Sequence, residues 1–266
     1  MLKALWTRLK QGHRTTTYPD GPAPELPARF LGRPRVDAAL CKEGCAGCAG
    51  VCPTGALSGG RLDLGKCLFC GACAAACPEK AVEFTREHRM AVRRREDLVL
   101  GAPGQEQLRL AAALDEKLRR LFGRSLRLRQ VSAGGCNGCE VDVNVLQTIG
   151  WDLGRFGIQF VASPRHADGL LITGPVTQNM ELALRKTWAA VPEPKIVIAV
   201  GACAIAGGPF VGHAEVHNGA TSVVPVDLFI PGCPPHPLTI LDGLLRLLGR
   251  IEARGPREAR SSPSVD

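Results

Sequence analysis

The chain has 266 residues, 45% hydrophobic and 22% charged, an ordinary globular composition with room for two modest domains. Its net charge of +8, from 33 basic and 25 acidic side chains, would suit acidic lipid or an acidic protein. A single tyrosine and the lack of a basic stretch interleaved with aromatics speak against nucleic acid. No apolar run reaches the roughly 18 residues of a membrane span.

Residues 1–14 read as a basic amphipathic helix, with Leu2, Leu5, Trp6 and Leu9 on one face and Lys3, Arg8, Lys10 and Arg14 outside it. Such a helix suits a membrane surface, a membrane subunit, or packing on its own chain. The start lacks the apolar core and cleavage site of a secretory signal. The twelve cysteines are therefore expected in a reducing compartment, where clustered thiols mean metal rather than disulfides. Prolines 19, 22, 24, 27 and 34 make residues 19–34 an extended, rigid connector, so residues 1–34 are an amphipathic helix followed by a Pro-rich connector.

Residues 35–85 hold eight cysteines and an internal repeat, Cys52-Pro-Thr-Gly-Ala-Leu echoed by Cys77-Pro-Glu-Lys-Ala-Val. Residues 86–125 are expected to be a linker and a helix. The stretch from Arg86 to Arg95 reads as an exposed basic connector, and Arg93 to Arg95 as a solvated face. Leu110, Leu114, Leu118 and Leu121 set a helical period over Gln105 to Phe122, ended by Gly123.

Over residues 126–250, apolar runs alternate with helical patterns. Strands are expected at Leu126–Val131, Ile158–Ala162, Gly169–Thr173, Ile196–Val200 and Val226–Ile230. Helices are expected at Val141–Ile149, Gln178–Ala190 and Pro237–Leu248. This alternation predicts a mostly parallel sheet covered by helices, an α/β flavodoxin-like domain. It would follow an α+β two-cluster ferredoxin-like domain. The Arg-, Ser- and Pro-rich tail, 251–266, is expected to be disordered.

The sulfur pattern carries the chemistry. Cys67, Cys70, Cys73 and Cys77-Pro78 form a complete C-x2-C-x2-C-x3-C-P run, in which the fourth cysteine ligates the other cluster of a two-cluster ferredoxin. Cys67, Cys70, Cys73 and Cys52 are thus assigned to one [4Fe–4S] cluster, and Cys41, Cys45, Cys48 and Cys77 to another. Three residues rather than two separate Cys41 from Cys45, which makes Cys41 the least secure ligand; Gly44 and Gly47 ease the longer turn. Four-thiolate zinc is the alternative, although zinc motifs rarely pack cysteines this densely twice over.

Cys136-Asn-Gly-Cys139 follows the first predicted C-terminal strand, Cys203 follows the fourth and Cys233 the fifth. In a parallel sheet these ends share one edge, where such proteins hold ligands. The four sulfurs can converge as a third [4Fe–4S] site, with Gly134, Gly135, Gly138, Gly201 and Gly232 beside them. A thioredoxin-like pair at Cys136 and Cys139 is the competing reading. Three clusters consume all twelve cysteines, leaving none for a catalytic metal on this chain. Glu140 reads as a helix-terminal carboxylate, with a role in proton movement the alternative. His13, His88, His166, His213, His217 and His236 read as structural or surface residues.

These motifs resemble two known families. Tyr18-Pro19, Arg29-Phe-Leu-Gly-Arg-Pro34 and the first two cysteine groups resemble the two-cluster ferredoxin subunit of formate hydrogenlyase-type hydrogenases and of complex I. Gly135-Cys-Asn-Gly-Cys-Glu140, Thr173-Gly-Pro-Val-Thr177, Gly201-Ala-Cys-Ala204 and Pro231-Gly-Cys-Pro-Pro235 resemble the small subunit of group 4 [NiFe]-hydrogenases, which is related to the quinone-proximal subunit of complex I. The complex I relative generally opens its site with adjacent cysteines, so the spacing here favours the hydrogenase branch. The resemblance implies an electron-transfer subunit of an oxidoreductase complex, cytoplasmic and peripheral on the inner face of the cell membrane. It implies a hydrogenase-like or complex I-like large subunit, integral-membrane subunits, and a ferredoxin or formate-oxidising partner.

Overall fold

The computed structural model describes residues 2–12, 14–41, 45, 47–58, 60–101 and 108–251. In chain order the elements are α1 (Leu2–Gln11), β1 (Pro34–Val36), α2 (Gly47–Gly50), β2 (Leu57–Ser58), β3 (Arg61–Asp63), α3 (Ala72–Ala76), β4 (Val82–Phe84) and β5 (Val99–Leu100). Then follow α4 (Glu116–Phe122), β6 (Leu126–Ser132), α5 (Gly138–Val145), β7 (Ile158–Phe160), β8 (Gly169–Thr173), α6 (Gln178–Ala190), β9 (Ile196–Val200), α7 (Ala202–Ala206), β10 (Leu228–Ile230) and α8 (Pro237–Leu247).

The C-terminal strands form one five-stranded sheet in the order β10-β9-β8-β6-β7, and every neighbouring pair is parallel. Counting from β6, this is the doubly wound order 2-1-3-4-5, whose switch point lies between β6 and β8. All five residues of β8 and of β9 are buried, as central strands covered by helices on both faces must be. One face packs against α5 and α8 through Val143, Leu241, Leu244 and Leu245. The other packs against α6 and α7 through Leu184 and Ile205. Each such side chain contributes roughly 1.5–3 kcal/mol by leaving water.

The N-terminal half is built from two small antiparallel sheets, β1-β4 and β2-β3-β5. Leu57, Leu62, Leu64 and Leu98 share the core of the α6–α7 face, so the two halves are packed together. The Pro-rich segment after α1 runs as a strap over α8: Tyr18 and Leu26 belong to that helix's core, and Phe30 packs on it. Beneath it, the Tyr18 hydroxyl donates to Asp242 Oδ1 at 2.7 Å, and Arg246 Nε donates to Asp242 Oδ2 at 2.7 Å. Desolvation and the Asp242 charge push the Tyr18 hydroxyl far above its usual range.

Two expectations need correcting. The stretch 86–95 is not an exposed connector: Met90, Ala91 and Val92 are buried, and Val92 exchanges backbone hydrogen bonds with Phe229 of β10. Arg93 donates to the Asp227 carbonyl at 2.8 Å, and Arg95 clamps both carboxylate oxygens of Asp63 at 2.9 and 2.7 Å. The arginines tie strand edges together while the apolar triplet before them fills the core. The helix expected over 105–122 starts only at Glu116, capped by Asp115, which accepts from the Leu118 N–H. Before it, the Ala111 and Leu114 amides are drawn to the carbonyls of Ala91 and Leu247, which leaves residues 108–115 non-helical; residues 105–107 lie outside the described residues. All eleven residues of α8 are buried, because the strap and residues 111–114 cover its outer side. The tail beyond Ile251, expected to be disordered, lies outside the described residues.

Candidate metal centres

The twelve cysteines fall into three spatial groups of four. One apolar cavity is lined by Cys52, Cys67, Cys70 and Cys73, with Leu62 and Phe84 among its walls. A second is lined by Cys41, Cys45, Cys48 and Cys77. Each cavity thus takes three sulfurs from one motif and the fourth from the other. The cause is local: α2 and α3 each end just before a Cys-Pro step that carries its last cysteine toward the opposite cavity. The two repeats are matched in detail, since the Ala56 N–H donates to Cys52 Sγ at 3.2 Å and the Ala81 N–H donates to Cys77 Sγ at 3.3 Å.

Burial pushes the Cys67 thiol up to about 12 and raises Cys73 as well. Cys48 is raised by burial and by the neighbouring Cys41 and Cys45. At Cys52 burial also acts upward, but backbone N–H groups of Thr54, Leu57 and Ala56 outweigh it and lower the thiol. Burial thus favours a cation beside the raised thiols, and backbone N–H groups are already aimed at three sulfurs, those of Cys52, Cys67 and Cys77.

The third group forms at the carboxyl ends of β6, β9 and β10, beside the switch point. Cys136 and Cys139 flank a left-handed turn at Asn137, φ 70°. Cys203 lies in the first turn of α7, and the Gly201 and Ala202 amides bond to the carbonyls of Ile230 and Gly232, joining its loop to that of Cys233. Burial raises Cys139 beyond the ordinary thiol range, with Cys203, Glu140, Cys233 and Cys136 adding to the rise. Burial and Cys233 raise Cys203 to about 11. Gly201 (φ 91°) is confined here, because a Cβ at that position would stand 2.5 Å from Cys139 Sγ.

Glu140 lies in the first turn of α5, as expected of a helix-terminal carboxylate. It is buried and accepts from Ser132 Oγ at 2.5 Å and Thr173 Oγ1 at 2.6 Å, binding the ends of β6 and β8 together beneath Cys139. The histidines divide between structural and surface positions. His88 is buried, His236 Nδ1 accepts the Leu238 N–H at the start of α8, His217 lies 3.1 Å from Glu181, and His166 is exposed; His13 lies outside the described residues.

Four thiolates on one zinc ion would sit within about 4 Å of one another, given Zn–S bonds of about 2.3 Å. Among the described residues, no three His, Cys, Asp or Glu side chains converge closely enough to hold a single ion. Sulfurs set around a cavity fit a multi-atom centre instead. The first and third groups are neighbours: the charge of Cys70 reaches Cys233 and helps raise it. Between them, Gly65 packs against both the Arg95 guanidinium and Ile205 of α7. The Asp63–Arg95 clamp at this junction was missed in sequence because its members lie 32 residues apart. It also shapes the first cavity, since Asp63 Oδ1 accepts the Gly65 N–H at 2.9 Å and the Asp63 carbonyl accepts the Cys67 N–H at 3.2 Å.

Comparison with known proteins agrees with these chemistries. A family described as NADH ubiquinone oxidoreductase, 20 Kd subunit, matches residues 136–247, and a 4Fe-4S binding domain matches residues 61–83. The chain is 43% identical over 157 residues to formate hydrogenlyase subunit 7 of Escherichia coli, a match covering 58% of this chain and 62% of that protein. It is 41% identical over 135 residues to a probable membrane-bound hydrogenase subunit, mbhJ, of Pyrococcus furiosus, covering 51% of this chain and 81% of that one. A chain in the structure of an archaeal membrane-bound sulfane sulfur reductase overlaps 51% of this chain and 75% of its own length, at 33% identity and a TM-score of 0.45.

Proposed function

The chain belongs to the family of the NADH ubiquinone oxidoreductase 20 kDa subunit, and on that footing we propose that it is the electron-relay subunit of a membrane-associated [NiFe]-hydrogenase complex of the formate hydrogenlyase type. In this reading it carries three [4Fe–4S] clusters and no catalytic centre of its own. The observation that carries the proposal is the division of all twelve cysteines into three groups of four.

The ligand sets would be Cys41, Cys45, Cys48 and Cys77; Cys52, Cys67, Cys70 and Cys73; and Cys136, Cys139, Cys203 and Cys233. When bound, [4Fe–4S] clusters supply one-electron redox steps. This chain's residues set distance and potential. The apolar walls around Cys67 and Cys73 exclude water, the Ala56 and Ala81 amides donate to sulfur, and Asp63, fixed by Arg95, holds the Cys67 turn. The Cys70–Cys233 proximity gives the relay an order: the C-terminal site, then the Cys67 site, then the Cys41 site. At the outer end Cys41 and Cys45 are exposed, open to a ferredoxin-like or formate-oxidising partner. At the inner end Cys136 and Cys233 are exposed, facing a catalytic large subunit.

This chain spans 62% of formate hydrogenlyase subunit 7, so its partners are part of the proposal: a large subunit bearing the reaction centre, and integral-membrane subunits that keep it at the inner face of the cell membrane. A fused subunit of a complex I-like quinone reductase, or a nickel-free hydrogenase relative, is the second reading. The spacing Cys136-Asn-Gly-Cys139 favours the first. Purification of the complex through a tag on this chain tests it. H2-dependent reduction of a viologen dye, lost when Cys139 is replaced by Ser, is the expected result; quinone-dependent activity without any H2 chemistry would establish the second reading instead.

A further inference from the structure

Among the described residues, α1 is the helix with nothing packed on its apolar side. None of its residues is buried, and Leu2, Leu5, Trp6 and Leu9 remain 83%, 60%, 62% and 76% exposed. With about 100° of rotation per residue, these four occupy one stripe roughly 100° wide. Lys3 and Lys10 border it on the tryptophan side and Arg8 on the other, while Ala4, Thr7 and Gln11 point away. Lys10 Nζ lies 5.4 Å from the centre of the Trp6 ring. No acidic residue occurs before Asp20, against Lys3, Arg8, Lys10 and Arg14. Ten residues are far too few to cross a bilayer.

The helix is also rooted. The Thr15 hydroxyl donates to the Ile149 carbonyl at 2.8 Å and the Thr16 N–H to the Gly150 carbonyl at 2.8 Å. Arg155 donates to the carbonyls of Thr16 and Tyr18, both at 2.6 Å. Four hydrogen bonds therefore fasten the chain a few residues past α1 to the 149–155 loop. There Ile149, itself 65% exposed, supplies a further apolar side chain next to the root. A tethered apolar stripe with cations along both margins has the layout of a helix lying in a membrane interface, where Lys and Arg reach outward to headgroups as Leu and Trp enter the acyl boundary.

We propose that α1 binds directly to an anionic phospholipid surface, lying in its plane with Leu2, Leu5, Trp6 and Leu9 inserted and Lys3, Arg8 and Lys10 on the headgroups. This goes beyond membrane association through partner subunits and does not depend on the electron-relay reading. The net positive charge, with no acid to offset it, selects anionic lipid over a neutral surface, each basic residue strengthening partitioning by roughly fivefold.

The test is co-sedimentation of the full, cluster-loaded chain with vesicles of phosphatidylglycerol and phosphatidylcholine, against phosphatidylcholine alone. Binding to the anionic vesicles is expected to fall at least tenfold on pure phosphatidylcholine, and at least tenfold in the variant Leu5→Glu/Leu9→Glu. Because those leucines touch no core, the variant keeps its visible absorbance and far-ultraviolet circular dichroism, which separates loss of lipid binding from loss of fold or clusters. Failure of the wild-type chain to sediment with anionic vesicles, or equal sedimentation of variant and wild type, overturns the proposal. So does retention of a membrane protein through α1 in the absence of any vesicle binding, which would assign the stripe to protein.

Discussion

Replacing Asp242 by Asn removes one charge from a place water does not reach. Asp242 is 0% exposed and Arg246 2%, and the carboxylate is the acceptor for both the Arg246 Nε and the Tyr18 hydroxyl. Arg246 Nη1 already lacks a partner, so no second acceptor stands ready when the carboxylate goes. Breaking a buried pair from one side costs about 3–5 kcal/mol, chiefly as the penalty of the stranded charge. At about 2–4 °C per kcal/mol for a domain of 150–250 residues, the thermal midpoint should fall by roughly 6–20 °C. The double replacement Asp242→Leu/Arg246→Met should recover part of that loss, because apolar residues of similar volume often substitute for a buried pair at little cost, while the Tyr18 hydroxyl, left without its acceptor, keeps the remainder. Thermal melts of the two proteins, followed by circular dichroism with cluster content held equal, make the comparison. A fall below 2 °C for Asp242→Asn, or a double variant less stable than the single one, would show that Arg246 is not stranded by loss of the carboxylate.

Gly201→Ala combines backbone strain at φ 91° with a Cβ 2.5 Å from Cys139 Sγ; iron should drop by about four atoms per chain, with the two N-terminal sites intact by electron paramagnetic resonance. Arg95→Leu should lower urea stability by about 1–2 kcal/mol, and Arg95→Lys should restore less than half of it, since an ammonium cannot span both oxygens of Asp63 as the guanidinium does. Burial lowers His88 from its ordinary value of 6.5 against the raising influence of Asp242 and Glu87, with Arg89 and Arg246 also acting downward. The unfolded chain therefore binds this proton more readily than the folded one, so His88 favours folding above about pH 6.5 and that contribution is lost as pH falls through and below it. His88→Gln should flatten the decline in melting temperature between pH 7 and pH 5; an unchanged slope would contradict a buried neutral imidazole.

The α/β half was legible because its strands are long apolar runs bounded by glycine and proline. Gly169–Thr173, Ile196–Val200 and the helix Gln178–Ala190 form with the limits the sequence suggests. The cysteine spacings were equally direct, since a tight turn can present its sulfurs in few ways. What escaped depends on contacts far apart in the chain. Met90-Ala-Val92 is too short to register as a strand amid arginines, and its partner Phe229 lies more than a hundred residues on. The leucine period through Leu110 and Leu114 looked helical, but the Ala91 and Leu247 carbonyls compete successfully for the Ala111 and Leu114 amides. Asp242 and Arg246, four residues apart, carry the signature of an exposed helical pair. They are buried because the N-terminal strap crosses over them, which no local pattern announces.

In the proposed function, all twelve cysteines hold three iron–sulfur centres. The most direct measurement is iron, acid-labile sulfide and zinc per chain on anaerobically purified protein, with electron paramagnetic resonance of the dithionite-reduced state. About 12 iron and 12 sulfide per chain, with signals from three [4Fe–4S] centres, are expected. A colourless protein carrying zinc, or a full complement of only about eight iron, would contradict it.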